Sequence, residues 1–288
     1  MPGGEPRGPA RRLAVVGSPI EHSLSPVLHS AAARELGLDW RYERRRFAAG
    51  ELAGFVDVLD GAWLGLSVTA PLKEEAACLA HRLDDHAELT GAANTLLLGV
   101  RPRGWNTDVG GIVTVLADAG LGSVTSGAIV GAGATALSAL VALAELGAER
   151  VTAALRSPAR GVRLVALGER LRVAVALQGL DEALPAVDAA VSTLPAGADV
   201  VPVFTHPPAR LLDADYARIE GSRYRVAMPE ERLIDGREML LAQAVLQARI
   251  FSAGDVAAPL PDEQRVVGAM RAALLRAGED ASSSLEES

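Results

Sequence analysis

A lysine stands where the sequence predicts the start of a helix, in the segment LSVTAPLK from Leu66 to Lys73. An apolar, β-branched run is typical of a strand, and Pro71 suits the first helical position because its missing N–H would be unpaired there anyway. Lys73 then falls in the first turn, where the partial positive charge of the helix N-terminus disfavours a cation by about 0.3–1 kcal/mol. The segment predicts either a solvated surface lysine or a lysine placed there to transfer protons.

Three further polar residues stand at predicted strand-to-helix junctions. Ser23 lies in the loop after an apolar strand at Arg12 to Gly17, at the strand end where open α/β sheets bind their ligands. Ser25 precedes Pro26 and a helical apolar stripe, so it is predicted to cap that helix, with or without a second role. Asp108 also precedes a helical run, and on its own a helix cap is the simplest interpretation of it.

A glycine turn follows a short buried strand at Ala128 to Val130. It reads GAGATA, Gly131 to Ala136, which is a G-x-G-x-x-A pattern, and a helix and a second strand follow within one βαβ unit. Such glycines permit a tight turn and let the backbone meet a pyrophosphate, whose charge the helix N-terminus stabilises. The pattern predicts a dinucleotide site, with a chance glycine turn in an alanine-rich chain as the alternative.

The residues after that second strand indicate which dinucleotide is bound. An NAD site needs an acid about 20 residues after the glycines to hold the ribose 2′-hydroxyl, whereas an NADP site needs an arginine for the 2′-phosphate. The strand ends in Leu155, Arg156 and Ser157, and no acid stands there. The sequence therefore predicts NADP, unless Arg156 is simply a solvated residue at a strand end.

Strands and helices alternate along the chain, which predicts an α/β fold. The 288 residues are 49% hydrophobic but only 3% aromatic, so the core must be built from Ala, Val and Leu. The formal net charge of -8 argues against a nucleic-acid partner, since phosphate contacts need a basic face. One cysteine, Cys78, excludes a disulfide framework and predicts a reducing, cytoplasmic compartment. The five histidines lack ligand spacing, so no metal is expected.

Two features of the sequence could be misinterpreted. Residues Ser123 to Ala144 carry no charge, and a run of about 18 or more apolar residues is the usual sign of a membrane-spanning helix. Glycines interrupt the run, so we expect a strand, a turn and a helix instead of a membrane span. The ends of the chain, residues 1–11 and 278–288, are predicted to be disordered tails because of their Pro, Gly, Arg, Ser and acidic content.

Taken together, these motifs resemble the shikimate dehydrogenase family over nearly the whole chain, from Gly17 to Gln243. They are GSPIEHSLSP, SVTAPLK, GAANT, the NTD at Asn106 to Asp108, and GREMLLAQ, in the family's order and spacing. The resemblance implies an α/β fold of two domains. The first would be a discontinuous α/β substrate-binding and catalytic domain with a mixed sheet, residues 12–108 and 236–277. The second would be a Rossmann-like NADP-binding domain with a parallel sheet, residues 109–235.

The resemblance also implies a role for each residue at a matching position. The catalytic pair would be Lys73 and Asp108. The substrate-binding residues would be Ser23, Ser25, Ser67, Thr69, Asn94 and Gln243. The cofactor-binding residues would be Gly131, Ala132, Gly133, Ala134, Arg156 and Ser157.

The reaction implied is reversible hydride transfer between NADPH and the C3 carbonyl of 3-dehydroshikimate, which gives shikimate on the route to chorismate and the aromatic amino acids. The partner is then a small-molecule substrate, with no nucleic acid and no membrane, and the protein a monomer or a homodimer.

Three departures leave alternatives open: Ser67 replaces an asparagine that touches substrate in many members, Ala134 replaces a glycine, and Asn-Arg-Thr has become Leu155-Arg156-Ser157. The alternatives are a quinate or aminoshikimate dehydrogenase and a non-catalytic NADP-binding regulatory protein. Retention of both Lys73 and Asp108 favours an enzyme.

Overall fold

The computed structural model describes residues 10–198, 200–218 and 222–286, without the side chains of residues 158 and 279–286. The chain divides into two compact units, one made of the residues up to Thr107 with those from Ala244 onward, the other of Asp108–Gln243. The sequence places the second boundary at residue 236, whereas the structure places it inside one continuous helix. Each unit has its own sheet and its own core.

Strands and helices alternate along most of the described chain. The strands are β1 Arg11–Gly17, β2 Trp40–Arg46, β3 Trp63–Val68, β4 Arg82–Leu83, β5 Thr95–Leu97, β6 Arg103–Trp105, β7 Ser126–Val130, β8 Arg150–Leu155, β9 Ala174–Gly179, β10 Ala189–Ser192, β11 Arg210–Asp213 and β12 Leu233–Asp235. The helices are α1 Ser25–Glu35, α2 Leu52–Asp57, α3 Lys73–Leu79, α4 Asp85–Thr90, α5 Thr107–Asp118, α6 Ala134–Glu145, α7 Val162–Leu171, α8 Gly236–Ala253 and α9 Glu263–Glu286.

The sheet of the first unit is mixed, as predicted. Its strand order is β2-β1-β3-β5-β6-β4. Strand β5 is antiparallel to both of its neighbours, whereas β1, β2 and β3 pair in parallel and so do β4 and β6. The carboxyl ends of β1 and β3, the start of β5 and the end of β6 therefore lie along one edge of the sheet.

The sheet of the second unit is parallel throughout, and its order is β12-β11-β10-β7-β8-β9. Counted within the unit from the β9 end, this is the order 3-2-1-4-5-6 of a Rossmann fold. The strand order reverses between β7 and β10, and such folds bind dinucleotides in the crevice outside the carboxyl ends at that point. The predicted Rossmann-like unit is therefore confirmed.

The cores contain the aliphatic residues that the composition predicts. In the first unit, Leu52, Leu66 and Leu96 are fully buried in one hydrophobic cluster. In the second unit, Val130 and Leu211 are fully buried in another. The uncharged run Ser123 to Ala144 forms β7, the glycine turn and most of α6. Among the described residues, no helix combines the length and the apolar character needed to cross a membrane.

Three local predictions about helix starts are wrong. Ser25 is the first residue of α1, and Leu24 takes the cap position without a capping side chain. Pro71 precedes α3, because Leu72 N–H donates to Thr69 O and closes a turn that ends before the helix begins. Asp108 is the second residue of α5 instead of its cap.

The prediction of a disordered C-terminal tail is also wrong for the residues that the structure describes. Helix α9 continues to Glu286, so residues 278–286 are helical where the sequence predicts disorder. A helix that is already nucleated gains one hydrogen bond for each residue it adds, so polar residues can extend it. Arg11, which the sequence assigns to the amino-terminal tail, is the first residue of β1. The predictions for residues 1–9 and 287–288 lie outside the described residues.

Candidate functional site

One edge of the first sheet gathers most of the predicted substrate residues. Ser23 and Ser25 follow β1, Thr69 and Lys73 follow β3, and Asn94 directly precedes β5. Backbone hydrogen bonds join these loops: Ser18 N–H donates to Ala70 O at 3.0 Å, and Ala93 N–H donates to Lys73 O at 2.8 Å. The alternation of strand directions thus brings residues far apart in sequence to one place.

Lys73 is the first residue of α3 and only 9% exposed. It is also the single lysine among the 28 lysine and arginine residues of the sequence. Arginine is effectively always protonated in proteins, whereas a lysine can give up its proton. The single basic side chain of the sequence that can be deprotonated readily apart from histidine is therefore buried at this edge of the first sheet.

Asn94 ties β5 to the point where the chain leaves the first unit. Its Nδ2 donates to Thr107 Oγ1 at 2.9 Å, and its Oδ1 accepts the Thr107 N–H at 2.9 Å. Its carbonyl oxygen accepts the Val68 N–H at 2.7 Å. These bonds fix the residue that immediately precedes Asp108.

Ser67 lies in a buried hydrogen-bond chain. The Tyr42 hydroxyl donates to Ser67 Oγ at 2.6 Å, and Ser67 Oγ donates to Gln247 Oε1 at 2.7 Å. Gln247 Nε2 donates to Thr95 Oγ1 at 2.9 Å and to Asn94 O at 3.0 Å. A hydroxyl has one hydrogen and two lone pairs, so Ser67 keeps capacity for one more donor and has no second hydrogen to offer.

His29 completes this chain from the helix side. Its Nε2 lies 3.1 Å from Gln247 Oε1, and its ring stacks on Tyr42 with centroids 4.6 Å apart. Complete burial lowers the pKa of His29 from 6.5 to about 4, because the charged imidazolium would lose its hydration. An amide oxygen only accepts, so the neutral ring donates through Nε2 and all four hydrogen-bonding positions of Gln247 are used.

Tyr42 and Gln247 are not among the residues predicted from the sequence. Gln247 has a signal that could reveal it, since it stands four residues after Gln243 and therefore on the same face of α8. Tyr42 has none, because its partner Ser67 lies on another strand and the register is not readable from the sequence.

Asp108 and Gln243 belong to the second unit. Asp108 is buried in the first turn of α5. Gln243 Nε2 donates to Leu240 O at 2.8 Å on α8. The two helices approach closely at Gly111, where an added Cβ would lie 3.0 Å from the Cβ of Gln243.

The glycine turn stands at the point where the strand order of the second sheet reverses. Gly131 has φ +116°, and a Cβ there would overlap the Thr193 hydroxyl, which itself donates to Val130 O at 2.9 Å. A Cβ at Gly133, by contrast, would meet nothing within 4 Å. Gly131 is thus required by the fold, while Gly133 leaves open space at the start of α6 that suits a pyrophosphate.

Arg156 stands at the same edge. It is exposed and follows the last residue of β8, with Ser157 next to it. The Gly131 N–H donates to Ala154 O at 3.1 Å, so the glycine turn is bonded to β8 two residues before Arg156. Ala132 and Ala134 complete the turn. These residues fit a dinucleotide with a charged group on its ribose.

Comparison with known proteins gives consistent matches. Residues 15–96 match the family model described as "Shikimate dehydrogenase substrate binding domain". A relative from Methylobacterium radiotolerans, named shikimate dehydrogenase (NADP(+)), is 35% identical over 252 residues, 81% of this chain and 88% of the relative.

Solved structures agree. The crystal structure of Mycobacterium tuberculosis shikimate dehydrogenase matches at 33% identity and TM-score 0.72, covering 92% of this chain and 99% of that one. Shikimate 5-dehydrogenase from Thermus thermophilus, in complex with NADP(H) and shikimate, matches at 28% identity and TM-score 0.73, covering 91% and 99%. Similarity to these relatives thus extends through both units of the chain.

Proposed function

The chain belongs to the shikimate dehydrogenase family, and we propose that it catalyses the family's reaction as an NADP-dependent shikimate dehydrogenase. The substrate is shikimate, whose C3 hydroxyl is oxidised to the carbonyl of 3-dehydroshikimate in a reversible step. NADP, when bound, supplies the acceptor for the hydride. The hydroxyl proton must go to the protein or to water.

Lys73 is the observation that carries this proposal. It is the single lysine of the sequence, it is buried, and it starts the helix at the sheet edge that also holds Ser23, Thr69 and Asn94. We assign it the proton transfer at the substrate oxygen, a step that typically contributes about 10²–10⁴-fold to the rate. Asp108, directly after the anchored Thr107, is proposed as the second member of the catalytic pair.

The hydroxyl and amide groups at this edge suit a polyhydroxylated carboxylic acid. Ser23, Ser25, Thr69 and Asn94 are proposed to bind its hydroxyls and carboxylate. Gln243 of the second unit is proposed as a further substrate-binding residue. Ser67 has a more restricted role, because its hydrogen is already donated to Gln247 and it can accept only one further bond. A substrate hydroxyl can therefore donate to Ser67 but cannot accept from it without breaking the internal bond.

The second unit is proposed to hold NADP on the turn Gly131 to Ala134. The open space over Gly133 allows the backbone to approach the pyrophosphate, and the start of α6 stabilises its charge. Arg156 offers a fork of donors to the 2′-phosphate, with the Ser157 hydroxyl beside it.

The proposal is tested by following the NADPH absorbance band while the purified protein is given shikimate or quinate with NADP or NAD. Shikimate with NADP should give the highest kcat/KM of the four combinations. No reduction of NADP with shikimate would contradict the proposed function, and faster turnover of quinate would assign the sister activity.

The cellular location and the oligomeric state of the protein are also proposed. We propose a reducing, cytoplasmic location, because the single cysteine, Cys78, is exposed and unpaired. We propose a monomer or a homodimer, which light scattering on the purified protein would distinguish.

A further inference from the structure

An arginine on β2 binds the backbone of the loop that contains Ser23 and Ser25. Arg44 donates to the carbonyl oxygen of Ser23 from two nitrogens, Nε at 2.9 Å and Nη2 at 2.6 Å. Arg44 pairs with Val15 in the register of β2 and β1, so it stands near the end of β1 from which this loop departs. Two charged donors on one carbonyl fix the orientation of that peptide group more firmly than one neutral bond would.

The peptide group whose carbonyl Arg44 binds lies between Ser23 and Ser25, and the two serines are also joined by a hydrogen bond. Ser23 Oγ accepts the N–H of Ser25 at 3.4 Å, and the Ser23 N–H donates to Ile20 O at 3.1 Å. Ser23 and Ser25 are both only 6% exposed. A rotation of the peptide after Ser23 would therefore move the hydroxyls of both serines relative to the sheet edge.

The next residue on the strand provides a comparison. Successive side chains of a strand point to opposite faces, so Arg45 points away from Arg44. Its guanidinium lies 5.9 Å from the ring centre of Trp63, and its Nε donates to Glu43 at 2.8 Å. The Arg45 guanidinium also lies 5.8 Å from the ring centre of Phe55, so its contacts are on the face opposite to Arg44.

We infer that Arg44 is a positioning residue for the substrate, which sets the orientation of Ser23 and Ser25 through the Ser23 carbonyl. The inference rests on the proposed role of these serines in binding the substrate. A misplacement of about 1 Å in such a group can cost as much as 10²-fold in rate. Because Ser23 and Ser25 are assigned to the substrate and the cofactor residues lie in the other unit, the loss should concern the substrate alone.

The test compares Arg44→Ala, Arg44→Lys and the control Arg45→Ala with the wild type, using whichever of shikimate and quinate the wild type oxidises faster. Arg44→Ala should lower kcat/KM for that substrate by about ten- to a hundredfold, mainly through KM, with KM for NADP unchanged. Arg44→Lys, which has one ammonium in place of the fork, should be intermediate. Arg45→Ala should keep the wild-type KM for the substrate and the wild-type KM for NADP.

Rescue separates positioning from a general loss of structure. Arg44 lines an open surface cavity of about 560 Å³, so a guanidinium ion added to Arg44→Ala can reach the vacated place and should lower KM for the substrate. An unchanged KM in both Arg44 variants, or equal increases for substrate and NADP without rescue, would overturn the inference. A wild-type protein that oxidises neither substrate would contradict the proposed function and this inference together, whereas an active wild type with unaffected Arg44 variants contradicts the inference alone.

Discussion

The Tyr42 hydroxyl donates a 2.6 Å hydrogen bond to Ser67 Oγ, which joins β2 to β3 across the intervening strand β1. Ser67 Oγ in turn donates to Gln247 Oε1 of α8, so one buried chain of hydrogen bonds joins the sheet to the helix. Such chains are stabilising only while every member has its partner, since an unpaired buried polar group costs about 1–3 kcal/mol. Ser67 is therefore a structural residue as well as a proposed substrate contact.

We expect Tyr42→Phe and Ser67→Ala to be coupled. Each removes the same bond, so the double variant should lose less stability than the sum of the single losses, by about 0.5–1.5 kcal/mol. Urea denaturation of the four proteins gives the coupling energy. Additive losses would mean that the two hydroxyls contribute independently.

His29 should make stability depend on pH. Its pKa is about 4 in the folded protein and about 6.5 when unfolded, so between these values the unfolded chain binds a proton that the folded chain does not. Stability is then complete above pH 6.5 and falls as the pH drops towards 4, by about 3 kcal/mol in total.

The comparison is between the wild type and His29→Gln, which keeps an N–H donor near Gln247 and does not titrate. Denaturation measured from pH 7 to pH 4 should show a smaller decline for the variant. Burial raises the pKa of Asp84 above its usual value, but this carboxyl is common to both proteins and its effect cancels in the comparison. Identical declines would show that His29 is not the responsible group.

Sequence could predict the parts of this protein whose signals are local. The turn at Gly131 and the strand that leads to Lys73 are recognisable from consecutive residues, and the structure has both. The bond from Ser67 to Gln247 spans 180 positions, and strand β4 has only two residues. Neither leaves a periodic pattern, because pairing across the sheet determines both.

Burial of charge was equally unpredictable. The segment around Arg223 has the composition of an exposed loop, yet the Arg223 side chain is 2% exposed. It donates to Asp215 Oδ2 at 2.9 Å and to the carbonyl of Ala198 at 2.9 Å. Its Nε lies 3.6 Å from Asp213 Oδ2, so two carboxylates compensate the buried charge. These partners depend on the fold of the unit and cannot be read from the segment alone.

The two glycines of the cofactor turn should respond differently to alanine. Gly131→Ala places a Cβ against the Thr193 hydroxyl at a positive φ, so it should lower the melting temperature. Gly133→Ala meets no protein atom and should fold normally, but it should raise KM for NADP because the Cβ occupies the space of the pyrophosphate. Calorimetry and initial rates check both, and a Gly133→Ala protein with wild-type KM would place the cofactor elsewhere.

Arg156 should be responsible for the preference for NADP. Hydrogen bonds to a charged group are worth about 1.5–3 kcal/mol, so Arg156→Ala should reduce the preference for NADP over NAD by about ten- to a hundredfold. The matched control is Arg150→Ala, an exposed arginine at the opposite end of β8. Measured kcat/KM ratios for the two cofactors decide the matter. An unchanged ratio in Arg156→Ala would remove this residue from the site.

The kcat of Lys73→Arg with shikimate and NADP tests the account most directly. Arginine keeps the positive charge and the hydrogen-bond donors but stays protonated in proteins and cannot accept the substrate's proton, so the variant separates proton transfer from electrostatic binding. If Lys73 transfers the proton, kcat should fall by about two orders of magnitude or more with little change in KM, since the group acts mainly in the transition state. A variant that retains more than about a tenth of the wild-type kcat would contradict the account, because it lies outside the loss expected of a proton-transfer group.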